Sequence, residues 1–269
     1  MTHGATPRLI VTDLDGTLLD HHSYSVDAAR PALAQCQALG VPVIFNTSKT
    51  RAETEALAKQ LGLSHPFIVE NGSAVLIPKD YFLSGQPAQA HCLGEERSRL
   101  LRWLARVRKE EQLSFEGFAD WSLAQIIEHT GLSEAQAEAA SQREYSEPFL
   151  WQDTEHKFLH LQKQANKKGF RLLKGGRFFH LLGKTDKGQA MRWLAEQYQQ
   201  AWGNTPQLIA LGDGHNDIDM LEAADVAVLV RSPAHEFPEL SGHNTIIKTD
   251  ATGPQGWADA VLELLQAET

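Results

Sequence analysis

Leu9-Ile10-Val11-Thr12-Asp13-Leu14-Asp15-Gly16-Thr17-Leu18-Leu19 is a short apolar run that breaks into a polar loop carrying two aspartates. Consecutive apolar residues ahead of such a loop mark a strand buried on both faces, as in a parallel sheet. Side chains two apart on an extended chain point the same way, so Asp13 and Asp15 can converge on one spot. That spot lies beyond the carboxyl end of the strand, where open α/β sheets place their ligands. Two close carboxylates repel, so a cation between them or a raised pKa on one is expected. An Asp-Gly turn alone is common loop chemistry. The fuller pattern Asp-x-Asp-Gly-Thr arises by chance in roughly one chain of this size in a few hundred.

Working outward, strand and helix signals alternate. A helix is expected from Val26 to Leu39, with Ser25 as N-cap, Pro31 as a bend and Gly40 as the stop. Val41 to Phe45 reads as a buried strand and Arg51 to Leu61 as a helix closed by Gly62. Phe67-Ile68-Val69 runs into the turn Glu70-Asn71-Gly72, and Ala74 to Ile77 returns as a strand. The rhythm resumes near the other end. Lys187 to Gln200 reads as a helix, Gln207 to Leu211 as a strand and Asn216 to Ala224 as a short helix. Val226 to Val230 and Thr245 to Lys248 read as strands before a closing helix from about Gln255 to Leu265. This pattern implies an α/β fold with a doubly wound, Rossmann-like parallel sheet.

The middle differs. After a turn-rich stretch from Pro78 to Pro87, helices are expected over Glu95–Lys109, Ser122–Thr130, Ser133–Glu144 and His156–Lys168. Phe170 to Leu173, a Gly175-Gly176 turn and Arg177 to Leu182 then suggest a hairpin. Residues 86–185 therefore read as an α+β cap inserted into a core made of 1–85 and 186–269.

A second chemical motif, Gly212-Asp213-Gly214-His215-Asn216-Asp217, also follows an apolar strand. Its glycines let backbone approach a ligand, and Asp213 and Asp217 offer hard oxygens suited to Mg²⁺. Asn46-Thr47-Ser48-Lys49-Thr50-Arg51 brings a hydroxyl to the same sheet edge. Lys187 opens a helix, where a cation is unfavourable unless an anion lies nearby. Together these supply a nucleophile, an acid/base, a metal site and donors for phosphoryl oxygens.

The four motifs, in this order, resemble those of the haloacid dehalogenase-type phosphohydrolases. The resemblance implies that Asp13 is the nucleophile, forming an aspartyl-phosphate, and Asp15 the general acid and base. Ser48 and Lys187 would hold the phosphoryl oxygens. Mg²⁺ would be bound by Asp13, the backbone carbonyl of Asp15 and Asp213, with Asn216 and Asp217 orienting the site. The insert is similar in placement to the C2-type caps of that superfamily, which exclude water and select small substrates. A narrower likeness, to the mannosyl-3-phosphoglycerate phosphatase family, rests on residues 46–53, 67–72, 143–149 and 176–180. It implies hydrolysis of mannosyl-3-phosphoglycerate to mannosylglycerate and phosphate. Thr47, Asn71, Arg143, Glu147 and Arg177 become candidate substrate-binding residues. A broader sugar phosphatase, a phosphomutase and a non-catalytic phospho-ligand sensor remain as alternatives at this stage.

Composition narrows the field. The 269 residues carry 25 Lys and Arg against 34 Asp and Glu, a net charge of −9. That balance disfavours nucleic acid and anionic membranes as partners. Two cysteines, Cys36 and Cys92, exclude a disulfide framework. Neither a membrane-spanning run nor a secretion signal is evident, so a cytoplasmic monomer or homodimer acting on a small phosphorylated sugar is expected. Gly183-Lys184-Thr185 is not a P-loop, because the required earlier glycine is Phe178. His156 and His160 lack the glutamate of a zinc helix.

Overall fold

The chain, seen as a computed structural model, is described over residues 6–175, 177–241 and 245–266. Its first elements are β1 (Arg8–Thr12), α1 (Arg30–Ala38), β2 (Val43–Phe45), α2 (Arg51–Leu61), β3 (Phe67–Val69), β4 (Ala74–Ile77) and β5 (Gln89–Cys92). Next come α3 (Arg97–Glu110), β6 (Phe115–Gly117), α4 (Leu123–Thr130), α5 (Glu134–Ser141), β7 (Ser146–Trp151), α6 (Glu155–Lys168), β8 (Phe170–Gly175) and β9 (Phe178–Gly183). The last are α7 (Lys187–Trp202), β10 (Gln207–Gly212), α8 (Ile218–Glu222), β11 (Val226–Arg231), β12 (Ile246–Thr252) and α9 (Gly253–Gln266).

The core sheet is parallel, in the order β12-β11-β10-β1-β2. Residues of α1 and α9, among them Leu33 and Trp257, bury one face. Met191, Leu194 and Tyr198 of α7, with Met220 of α8, bury the other. Both faces being covered explains why β1, β10 and β11 are apolar without alternation. The chain leaves β1 toward β2 and returns to β10 on β1's other side. The gap between the ends of β1 and β10 is thus the topological switch point.

The inserted cap is a four-stranded antiparallel sheet, β6-β7-β9-β8. Helices α3 and α6 bury one of its faces, and α4 with α5 form a smaller cluster around Phe118, Trp121 and Ile126. A third sheet, β3-β4-β5, is also antiparallel and carries the 70–73 loop at one end.

Several expectations shift. The segment from Val26 to Leu39 divides into a 3-10 turn, Asp27–Ala29, and α1. Pro31 falls in the first turn of α1, where no N–H is needed, so it starts the helix rather than bending it. Ser25 Oγ accepts from Asp27 N–H ahead of the 3-10 turn, whose N-cap position is Val26, and does not cap α1. Residues 215–217 likewise form a 3-10 turn ahead of α8. Strands β6 and β7 were not expected. β6 has only three residues, and β7 contains Pro148, a residue usually read as excluding a strand. Of the expected hairpin turn, Gly176 lies outside the described residues.

Candidate active site

The β1 end is set before any side chain acts. Asp13 N–H donates to Leu211 O at 2.9 Å, locking the two loops together. Trp257 Nε1, from α9, donates to Thr12 Oγ1 at 3.0 Å, and that hydroxyl donates to Asp13 O at 2.7 Å. Gly16, at φ +80°, lets the backbone pass close to Asp213. A Cβ there would stand 2.7 Å from Asp213 Oδ2. Thr17 Oγ1 donates to Asp213 Oδ1 at 3.0 Å.

Lys187, the first residue of α7, is buried between carboxylates. Its Nζ lies 2.5 Å from Asp13 Oδ1 and 2.6 Å from Asp217 Oδ1. This answers the cation at a helix start: two anions face it, and Asp186 caps the helix by accepting from Gln189 N–H. Asn46 Nδ2 donates to Lys187 O at 3.0 Å and fixes the backbone. Asp217 Oδ2 accepts from Asp213 N–H and Gly214 N–H, so it holds the β10 loop as well.

Asp13, Asp213 and Asp217 offer carboxylate oxygens that all lie within 4.8 Å of one another, and all three are buried. One lysine leaves this cluster negative. Burial, then repulsion by Asp217, holds Asp13 well above the usual carboxylate range, against the pull of Lys187. Burial and Asp217 push Asp213 up to about 6. Burial works against the Lys187 ammonium too, but the two carboxylates outweigh it and its pKa rises. Buried, hard-oxygen and under-compensated, the set fits a divalent cation.

The sequence pattern of haloacid dehalogenase-like hydrolases matches residues 10–250. This chain belongs to that family. A Methanococcoides burtonii protein named glucosyl-3-phosphoglycerate/mannosyl-3-phosphoglycerate phosphatase is 38% identical over 265 residues, spanning 96% of this chain and 97% of that protein. A Persephonella marina protein of the same name is 36% identical over 266 residues, with the same coverage. In fold, the hydrolase resembles a haloacid dehalogenase-like hydrolase from B. subtilis, with a TM-score of 0.66 at 20% identity over 97% of this chain and 100% of that one.

The other candidate residues of this hydrolase divide into three groups. Asp15 stands outside the carboxylate cluster. Lys49 Nζ lies 2.9 Å from its Oδ1 and 3.9 Å from Glu53. Burial would lower the Lys49 ammonium, yet Asp15 and Glu53 leave it raised. Ser48 is half-buried in the loop three residues past β2, and its hydroxyl makes no hydrogen bond among the described residues. Thr47 Oγ1 accepts from Lys49 N–H at 3.1 Å and shapes that turn. Asn71 Oδ1 is 3.5 Å from Asn216 Nδ2, which links the 70–73 loop to the β10 loop.

Arg143 bridges cap and core: its Nη1 donates to Ser48 O at 3.2 Å and to Ser146 Oγ at 3.0 Å. Glu147 points elsewhere. It is paired with Leu181, on the sheet face buried by α3 and α6, where Arg97 Nη2 meets it at 2.6 Å and Ala119 N–H donates to it at 2.8 Å. Arg177 is exposed, and its Nη2 donates to Thr130 O at the end of α4.

Four contributors carried no role in the sequence reading. Lys49 holds Asp15, and Trp257 steadies β1. His235 Nε2 lies 3.5 Å from Asp213. Glu70 accepts from Glu144 N–H, Tyr145 N–H and Ser146 Oγ at 2.9, 3.1 and 2.6 Å. A glutamate in a turn signal reads as solvent-facing; only the cap buries it.

Proposed function

We propose that this hydrolase is a Mg²⁺-dependent phosphomonoesterase that cleaves mannosyl-3-phosphoglycerate, and its glucosyl counterpart, to the glycosylglycerate and phosphate. The observation that carries the chemistry is Lys187 Nζ seated between Asp13 and Asp217 beside Asp213, at the switch point. The near full-length relatives bearing that substrate name support the choice of substrate.

Asp13 attacks phosphorus through its free carboxylate oxygen, and the P–O bond to the leaving group breaks. Asp15 protonates the departing oxygen, so the alcohol leaves neutral. A water then attacks the aspartyl-phosphate, Asp15 takes its proton, and Asp13 and inorganic phosphate are released. Lys187 and Ser48 hold the phosphoryl oxygens where charge builds up. Lys49 keeps Asp15 aimed at the leaving group. Asp13 and Asp213 would hold Mg²⁺, with the Asp15 carbonyl as a further ligand and Asp217 bracing the loop. When bound, the ion neutralises charge on the phosphoryl group and the carboxylates. In this reading residues 86–185 select the substrate, while 1–85 and 186–269 do the chemistry. Free Cys36 and Cys92 suit a cytoplasmic enzyme, which we take to be a monomer or homodimer.

Phosphate release is the test, measured with Mg²⁺ and with excess chelator. The panel is mannosyl- and glucosyl-3-phosphoglycerate, hexose phosphates and 3-phosphoglycerate. A kcat/KM for the glycosyl compounds about 100-fold above the rest, ~2.7 kcal/mol of discrimination, is expected. Equal metal-dependent activity on every member would remove the named substrate. Isomerised sugar phosphate in place of free phosphate would convert the reading to a mutase.

A further inference from the structure

Strand β9 presents its side chains alternately. Phe179 and Leu181 enter the α3/α6 core. His180 and Leu182 therefore take the opposite face of the sheet. The neighbours of that face identify it as the one turned to the catalytic core. Ser146, opposite Leu182 on β7, bonds Glu70. Arg171, opposite Leu182 on β8, donates through Nη1 to Thr185 O at 3.1 Å and through Nη2 to Asp219 Oδ2 at 2.9 Å.

His180 is only 8% exposed, and its Nδ1 is buried without a hydrogen-bond partner among the described residues. A buried polar atom left unpaired is costly, and native proteins rarely keep one without a use. Arg143, the arginine that joins cap to core, also keeps a buried Nε without a partner. Burial chiefly, then the charges of Arg143 and Lys187, press the His180 imidazole down to about 3, so it is neutral at working pH. A neutral imidazole offers one donor and one acceptor. That pairing suits a hydroxyl, which can both give and take a hydrogen bond, whereas a carboxylate would favour the arginine.

We propose that His180 is a specificity residue: from the cap face it hydrogen-bonds a hydroxyl of the substrate's non-reacting part, beside Arg143. The inference rests on the sugar-phosphate reading above and adds a residue to it. The residues directly opposite it, Pro148 on β7 and Leu173 on β8, carry no polar side chain to compete for that hydroxyl.

The experiment compares kcat/KM for mannosyl-3-phosphoglycerate with that for p-nitrophenyl phosphate, which has no hydroxyl, in wild type, His180→Leu and His180→Asn. In His180→Leu the ratio should fall about tenfold to a hundredfold, mostly through KM. His180→Asn, which keeps a donor and an acceptor near the Nδ1 position, should recover most of it. An unchanged ratio in a folded His180→Leu protein would overturn the proposal. So would a similar loss on both substrates without rescue by asparagine, since that marks a packing role. Thermal melts separate these from misfolding, and if the leucine variant does not fold, an asparagine variant whose ratio collapses counts equally against the proposal. Wild type that turns over only p-nitrophenyl phosphate would instead remove the substrate reading, and the proposal with it.

Discussion

As the proposed nucleophile, Asp13 would attack as a carboxylate, yet burial and the neighbouring carboxylates raise its pKa, and Lys187 is the group within the chain that opposes this. Lys187→Met should cost turnover by orders of magnitude. It should also destabilise the metal-free fold, because two buried carboxylates lose their cation, a change worth about 3–5 kcal/mol. The sign follows from linkage: with Asp13 raised further, the stability tied to its protonated form is present at low pH and lost as pH rises through the folded pKa. The gap in melting temperature between variant and wild type should therefore widen from pH 5 to pH 8. A constant gap would argue against charge as the cause. Asp13→Asn should cut turnover about 10³-fold or more while binding of the sugar phosphate survives, as equilibrium binding would register. Asp213, pushed up to about 6, makes a related prediction. Mg²⁺ needs the ionised carboxylate, so the proton that Asp213 gives up should make release on binding larger near pH 6 than near pH 8. Calorimetry in two buffers of different ionisation enthalpy reads this directly; zero release at pH 6 would contradict it.

The β3–β4 hairpin shows how one short element serves site and cap together. Glu70, Asn71 and Gly72 are successive residues at positive φ, 48°, 58° and 87°. The two that are not glycine are uncommon there and strained, and the loop keeps them because both ends are committed. Glu70 is bonded to the cap, and Gly72 presses on the start of α7, where a Cβ would stand 2.2 Å from Asp186 O. Gly72→Ala should therefore displace Asp186 and Lys187 and cost several times the ~1 kcal/mol expected from dihedral strain alone. Gly40→Ala is the control, since its φ is +66° and a Cβ there meets nothing within 4 Å. Comparable urea midpoints for the two variants would show that the contact with Asp186 does not matter. Helix α2, by contrast, needed no tertiary information. Its Thr50–Glu53 capping box and its Gly62 stop are local, and its bounds match those expected from the sequence.

Core and cap meet through a small set of polar links: Glu70 to residues 144–146, Arg143 to Ser48, Arg171 to Asp219, and Thr50 Oγ1 to Ala139 O at 2.9 Å. Glu70 is the most heavily used of them. Glu70→Ala would strand two N–H groups and a hydroxyl at the seam, each costing about 1–3 kcal/mol if it stays dry. The cap should open to wet them. KM should then rise more than kcat falls, and the radius of gyration from small-angle scattering should grow. An unchanged KM would show that the seam does not govern substrate capture. Among the described residues no helix is long and apolar enough to cross a membrane, and the exposed surface is that of an acidic chain.

Most of the core was legible in the chain order, because its signals are local. Buried parallel strands are apolar runs, helix ends carry their own caps, and chemistry placed just after a strand falls at the sheet's carboxyl edge. Asp13, Ser48 and Asp213 are placed near that edge by this signal, and Lys187 stands out as a cation at a helix start. The cap was harder, because a three-residue strand and a strand containing proline lack periodicity; only pairing with β6 and β9 makes β7 a strand. Partner choice was harder still. Glu147 and Arg97 are 50 residues apart, and Glu70 and Ser146 are 76 apart. Whether Glu147 faces a substrate or an arginine depends on which face of β7 it takes, and a shift of one residue in register would reverse that. Periodicity and capping are written within a few neighbouring residues, whereas the counter-charge of a buried group comes from whatever segment the fold brings beside it. That is why the two aspartate motifs were visible in the chain, while the partners of Lys49 and Glu70 and the surroundings of His180 were decided only when the sheets packed.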